Sequence, residues 1–196
     1  MKQSTKRLTL SIFTLIGLAF WVILGGLRLL DAWQNAHLLP ALLAAQSGLI
    51  AWLLATRRRQ AVEARWPRKG MSWASALLPL ALQISHETLP GQVITILGLL
   101  LVLWAMGTLG QSFGVAPSDR GLVKEGPYRF VRHPMYLGEL ISLAGAVVGD
   151  ASWWNVALLH VLLLTLLLRM RWEEMTVFDY GSYAGRVRWR LIPYIF

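Results

Sequence analysis

The chain has no cysteine, which excludes disulfides, thiolate nucleophiles and thiolate metal sites. Charge is scarce: 15% of residues are Asp, Glu, Lys or Arg, against about 25% in an ordinary soluble domain. Histidine appears only at His37, His86, His133 and His160, one at a time. None has the HExxH-type spacing that holds zinc, so no metal is expected.

What remains is apolar. Of 196 residues, 56% are hydrophobic and ten are Trp, and the mean hydropathy is +0.51. Apolar residues collect in blocks at 8–30, 38–55, 71–86, 91–109, 134–149 and 152–169. Each block is expected to be helical, because lipid offers no partner for a free backbone amide. The chain therefore reads as an all-α integral membrane protein, a bundle of five to six transmembrane helices with no room for a second independent domain. The blocks at 71–86 and 134–149 are short of the about 20 residues that span a bilayer. They either stand upright or dip in and return. The turn Gly149-Asp150-Ala151-Ser152 makes the last two blocks a C-terminal helical hairpin. The first block follows Lys2, Lys6 and Arg7. It is too long for a signal-peptide core and lacks an A-x-A-like cleavage site, so it is read as a retained helix.

A net charge of +9 raises nucleic acid as a partner, but the basic residues sit in short clusters between apolar blocks. That distribution fits topology determinants and anionic headgroups, not nucleic acid. Segments 1–7, 56–70, 110–133 and 169–196 hold every Lys and Arg except Arg28, while the intervening turns carry Asp31, Glu87 and Asp150. The positive-inside rule then puts both termini in the cytoplasm of an inner membrane, bacterial or archaeal. Arg28 and Asp31 are expected to pair at the opposite interface.

The polar chemistry is concentrated on the cytoplasmic side. In "LGQSFGVAPSDRGLVKEGPYRFVRHPMYLG" (109–138), Gly110, Gly114, Gly121, Gly126, Pro117 and Pro127 interrupt any helix. Pro127 sets a turn after Gly126, and Pro134 suits the first position of the next helix. His133 then falls just outside the helix N-terminus, where free amides with Arg129 and Arg132 nearby favour an anionic group. Tyr128 and Tyr136 can stack on a flat ring or bond a sugar hydroxyl. An interfacial belt would account for the tyrosines and arginines, but not for the Gly/Pro punctuation or His133.

The second polar segment is "RMRWEEMTVFDYGSYAGRVRWR" (169–190). Arg169 and Glu173 are four apart and share a helix face, as an exposed ion pair would. Glu174 lies about 100° around the helix, so the two glutamates do different jobs. Glu139, one turn into the hairpin, is expected either to face the site or to cap Arg132.

At these two segments the sequence resembles the isoprenylcysteine carboxyl methyltransferase family, whose relatives include membrane phospholipid methyltransferases. "LVKEGPYRFVRHPMYLG" is similar to that family's cofactor motif, and Arg169, Glu173 and Glu174 followed by "RVRWRLIPYIF" to its C-terminal signature. The resemblance covers 109–196. It departs from the pattern at Arg120, where the family has His, and in a shorter stretch between Glu174 and Gly181. It implies S-adenosyl-L-methionine as cofactor, bound in a cytoplasmic pocket by Arg120, Gly121, Leu122, Val123, Tyr128, His133, Pro134, Met135, Tyr136 and Glu173. Arg169 would contact the substrate, so Arg169 and Glu173 are the expected catalytic pair. No strand precedes a glycine-rich turn here, so the usual cofactor device of soluble methyltransferases is missing.

The expectation is a membrane methyltransferase acting on a lipid-like or apolar acceptor, a prenylcysteine-type carboxylate among those it admits. Residues 1–109 supply transmembrane helices and 110–196 the cofactor-binding and catalytic region, as one structural unit. Two alternatives stand beside it: a nicotinamide-dependent membrane reductase, with Arg186, Arg188 and Arg190 for a 2′-phosphate, and a non-catalytic transporter or assembly factor.

Overall fold

The computed structural model describes residues 12–58, 62–63, 66–83 and 88–196. Lys2, Lys6, Arg7 and the turn carrying His86 and Glu87 lie outside them. Seven α-helices are described: α1 (Ile12–Asn35), α2 (Leu38–Thr56), α3 (Trp66–Leu77), α4 (Leu89–Leu109), α5 (Pro134–Gly149), α6 (Trp153–Thr176) and α7 (Tyr180–Arg186). Helices α1, α2, α4 and α6 are long and apolar enough to cross a membrane, and α5 is a shorter apolar helix. An all-α membrane protein is what the sequence led us to expect.

Hydrogen bonds and ring contacts sort the chain into two ends. At one end Arg57 donates to Thr14 Oγ1 at 2.7 Å, the Arg58 amide to Gln111 O at 2.8 Å, and the Arg68 guanidinium lies over Trp172. At the other, Trp154 Nε1 donates to Ala81 O at 2.9 Å, and fully buried Asn155 exchanges bonds with the Gln83 backbone. The loop 110–133 and the C-terminal tail belong to the first end.

The third block differs in its boundaries from the sequence reading of 71–86. Its helix begins earlier, at Trp66-Pro67, where a proline suits the first turn. It stops at Leu77 because Pro79 cannot continue it, and a 3-10 turn covers Leu78–Ala81. That turn rises about 2.0 Å per residue against 1.5 Å in an α-helix, so 66–81 reaches about 26 Å. Contacts from Arg68–Trp172 to Ala81–Trp154 run the length of α6. The segment therefore traverses the bundle and does not dip back.

Other boundaries move outward. Helix α1 continues past residue 30 to Asn35, and α6 past 169 to Thr176. The hairpin turn is as expected: α6 starts where Ser152 Oγ caps the Asn155 amide. Asp31 accepts from Asn35, while Arg28 donates to Ser47 Oγ at 2.8 Å and Leu43 O at 3.3 Å. The expected Arg28–Asp31 pair is thus replaced: at membrane depth Arg28 takes acceptors on α2 instead of reaching out to water.

Helices α4 and α5 meet through small residues, as backbones must to approach closely in lipid. A Cβ on Gly98 would fall 2.3 Å from Ser142 N, and one on Gly138 2.8 Å from Gly98 O. This contact fixes the N-terminus of α5 against the loop that follows α4. A two-residue antiparallel pairing, β1 (Val62–Glu63) with β2 (Ser118–Asp119), ties the α2–α3 connection to the same loop.

Candidate active site

The loop 110–133 is shaped by its turns. Gly121 (φ +95°) and Gly126 (φ +55°) occupy left-handed backbone, where a side chain would be strained. Between them and α5, Gly126–Arg129 forms a 3-10 turn with Pro127 inside it, and Pro134 opens α5. The Arg132 and His133 amides donate to the carbonyls of Trp189 and Arg190, at 2.8 and 2.9 Å, so the tail braces the loop from behind. Asp119 adds a second brace, accepting from the amides of Gly121 and Phe178.

These braces shape a cavity of about 730 Å³, its open mouth included. Arg120, Gly121, Leu122, Val123, Tyr128, His133, Met135, Tyr136 and Glu173 all line it. Pro134 does not: it is buried as the first residue of α5. Met135 and Tyr136 bring first-turn amides that have no intrahelical acceptor. Arg120 is 8% exposed and bonds Ser118 Oγ, and a Cβ on Gly114 would meet its guanidinium. Gly114 is therefore the space that Arg120 occupies.

The sequence reading did not single out Ser112, Ala116, Val177 or Tyr180 for the cavity, yet they line it too, as does Tyr183. Tyr180 and Tyr183 stand three apart on α7 and so share a face, a spacing visible in the sequence. Tyr183 donates to Tyr128 O at 2.7 Å, and Tyr180 OH lies 3.1 Å from His133 Nε2. Burial pushes the Tyr183 phenol up to about 12, and raises those of Tyr128 and Tyr180 as well. All three are neutral at physiological pH.

The two glutamates diverge, as their angular offset implies. Glu174 is a hub: it accepts from Arg132 Nη1 at 3.0 Å and from Arg190 Nε and Nη2 at 2.9 Å each, with His133 Nε2 at 3.3 Å. The hydrogen bond to Glu174 also raises the Arg190 pKa. Glu173 faces the cavity, accepts from the Tyr136 hydroxyl and lies 3.7 Å from His133 Nδ1.

Arg169 is elsewhere. It is 2% exposed and outside the cavity lining, donating to Ser75 Oγ and Val115 O at 2.9 Å each. Its guanidinium packs over the Tyr136 ring, 4.8 Å from the centroid. The exposed Arg169–Glu173 pair is thus replaced by a partition: Tyr136 gives its hydroxyl to Glu173 and its ring face to Arg169. Behind it a smaller cavity is lined by Arg169, Glu139 and Met135, and Met135 also lines the larger one. Glu139 faces this space and does not cap Arg132, whose Nη1 is bonded to Glu174.

An α-helical membrane protein with a polar cavity at one end of its bundle, walled from membrane depth by one tyrosine, is the class defined by fold and site. Residues 86–181 match the family model described as phospholipid methyltransferase, a family of membrane methyltransferases related to the isoprenylcysteine methyltransferases. The match takes in α4, which the motif resemblance at 109–196 left out, and ends before "RVRWRLIPYIF". No curated protein matches the chain.

Proposed function

We propose that the chain transfers a methyl group from S-adenosyl-L-methionine to a lipid-like acceptor in the bilayer, with the cofactor cavity and both termini cytoplasmic. One observation carries this reading. Nine residues from the loop, the start of α5 and α6 converge on one cavity, and Met135 also lines a space that holds Arg169 and Glu139.

The residues present fit such a cofactor. The first-turn amides of Met135 and Tyr136 in α5 suit a carboxylate. Glu173 suits hydroxyl or ammonium groups, and Tyr128, Leu122 and Val123 offer apolar walls to a base. When bound, the cofactor supplies a methyl carbon on a cationic sulfur. The chain's own part is positioning in a place poor in water, where electrostatic effects are strong. Tyr136 orients Glu173 on the cavity side and seats Arg169 on the other. Arg169 keeps Nε without a hydrogen-bond partner among the described residues, so it can hold an acceptor's polar group. Residues 1–109 and 110–196 would work as one unit, the first closing the membrane chamber and the second forming the cofactor cavity.

The reductase alternative loses support at Arg190, which is spent on Glu174. To test the proposal, the purified full chain would be incubated with methyl-labelled S-adenosyl-L-methionine and a total membrane lipid extract. Label is expected in the lipid fraction, and should fall in Glu173→Gln at limiting cofactor. No labelled lipid, with the cofactor bound, would count against a lipid acceptor.

A further inference from the structure

A cleft of about 900 Å³, its open side included, runs between the outer face of α6 and the C-terminal tail. Leu167, Met170, Arg171, Glu174 and Met175 line it from α6, and Arg190 and Phe196 from the tail. None of these residues lines the cofactor cavity or the space behind Tyr136. On α6, Val161, Leu164, Leu168, Arg171 and Met175 follow one another at three and four residues, all of them exposed. They form one stripe along the helix. Its apolar part, from Val161 up to Arg171, rises about 15 Å, half of a hydrocarbon core about 30 Å thick. The stripe thus covers one leaflet and ends at a cation.

The tail closes the other side of the cleft. The Leu191 and Ile192 amides donate to Phe196 O at 2.9 and 3.0 Å, a hook that sets the Phe196 ring against the Arg190 guanidinium, 5.3 Å from the centroid. Glu174, the carboxylate in the lining, is shared between Arg190 and Arg132. Among the described residues the Arg171 guanidinium and Arg190 Nη1 have no hydrogen-bond partner. The cleft therefore keeps positive charge that no side chain offsets, and guanidinium N–H groups suit a phosphate. Beside it Ile192, Tyr194, Ile195 and Phe196 are exposed, side chains that fit the headgroup boundary better than water. A snorkelling arginine would account for Arg171 alone, but not for a second guanidinium across a cleft that Leu167 and Met170 also line.

We propose that this cleft binds an acidic phospholipid of the surrounding bilayer as an effector and not as the methyl acceptor, with its phosphate between Arg171 and Arg190 and an acyl chain along the α6 stripe. Such a lipid pins the tail to α6. The tail in turn holds the Arg132 and His133 amides through the carbonyls of Trp189 and Arg190, and both residues line the cofactor cavity. A pinned tail stiffens that loop, so lipid and cavity ligand favour one another. The lipid site stands without the methyl-transfer reading; only the name of the cavity ligand rests on it.

The probes are dioleoylphosphatidylglycerol, dioleoylglycerol (the same tails without phosphate) and glycerol 1-phosphate (the phosphate without tails). Retention on the full chain in detergent is read by native mass spectrometry, and hydrogen exchange follows the Arg132 and His133 amides. Wild type should retain phosphatidylglycerol and neither of the others, and the two amides should then exchange about ten-fold more slowly. S-adenosylhomocysteine should bind about five-fold more tightly with that lipid than without it. Arg171→Gln should weaken the lipid about ten-fold and abolish both responses, while lipid-free S-adenosylhomocysteine affinity stays unchanged. Arg186→Gln, at an exposed arginine outside the cleft, should behave as wild type. Equal loss in the two variants would mean diffuse attraction to a basic surface and would overturn the site, as would phosphatidylglycerol held equally by wild type and Arg171→Gln. Lipid retention with no slowing of the two amides would overturn the coupling. Slowed exchange in a wild type that binds no S-adenosylhomocysteine would defeat the methyl-transfer reading and support this one.

Discussion

The cavity proposed for the cofactor and the void between the helices are built in opposite ways. The first comes from a loop, a helix start and a helix end within 109–136 and 173–183, where glycines, prolines and paired tyrosines set the backbone locally. The second, a void between α1, α2, α4 and α5 that Arg28, Gln46 and Glu139 line, is assembled from side chains on six separate elements. Local assembly leaves a motif. Long-range assembly leaves isolated polar residues in apolar blocks, and their meaning appears only when the helices pack.

If the two spaces depend on a common wall, the largest effect should come from separating α4 from α5. Gly98→Val places atoms where Ser142 N already lies. A loss of about 3 kcal/mol or more in unfolding stability is expected, with S-adenosylhomocysteine binding lost. Retained stability would show that the helices can part without disturbing either space.

A change confined to the cofactor end should be next. Glu174→Ala leaves Arg132, Arg190 and His133 facing one another without their shared carboxylate. Breaking such a partly buried cluster should cost about 3 kcal/mol and weaken S-adenosylhomocysteine. An unchanged affinity would show that the cluster does not shape the cavity.

The partition at Tyr136 is sharpened by two quieter variants. Arg169→Lys keeps the charge but loses the planar fork between Ser75, Val115 and the Tyr136 ring, so kcat/KM should fall while cofactor affinity holds. Glu173→Gln should instead weaken the cofactor by about 1–2 kcal/mol. Equal losses at the same step in both variants, with no further loss in the double mutant, would erase the division of labour.

The smallest effect expected is at Tyr183. Its raised pKa means that folding favours the neutral phenol. Its stabilisation is therefore complete below the unfolded value of about 10 and lost as pH rises towards 12. Tyr183→Phe forfeits about 1 kcal/mol at neutral pH through the Tyr128 carbonyl, and should lose less than wild type between pH 10 and 12. Identical alkaline slopes would remove Tyr183 from that titration.

Much of the fold was legible because hydropathy blocks and basic clusters are strong signals in lipid. The third block was misjudged for a physical reason. Its helix starts among charged residues at 66–70, and a proline-induced 3-10 turn gives it reach that a count of apolar residues does not record. At the site, His133 and Tyr136 were legible from the helix-start motif. Arg169 was placed on the right helix, and the ion pair with Glu173 weighed as the plainer alternative does not form. An i,i+4 partner is the default on a water-facing helix, whereas here Tyr136 and Val115 arrive from distant segments to claim each member of the pair. Arg28 was given to Asp31 and Glu139 left between two roles, because the void both line lies between helices that the sequence does not order in space.

The claim on which the rest depends is that the cavity at the start of α5 holds S-adenosyl-L-methionine, and titration calorimetry with S-adenosylhomocysteine tests it most directly. Wild type should bind one equivalent and ignore NADPH, and His133→Ala should bind about 1–3 kcal/mol more weakly. Binding of NADPH in place of S-adenosylhomocysteine, or an unchanged affinity in His133→Ala alongside a large fall in stability, would contradict it.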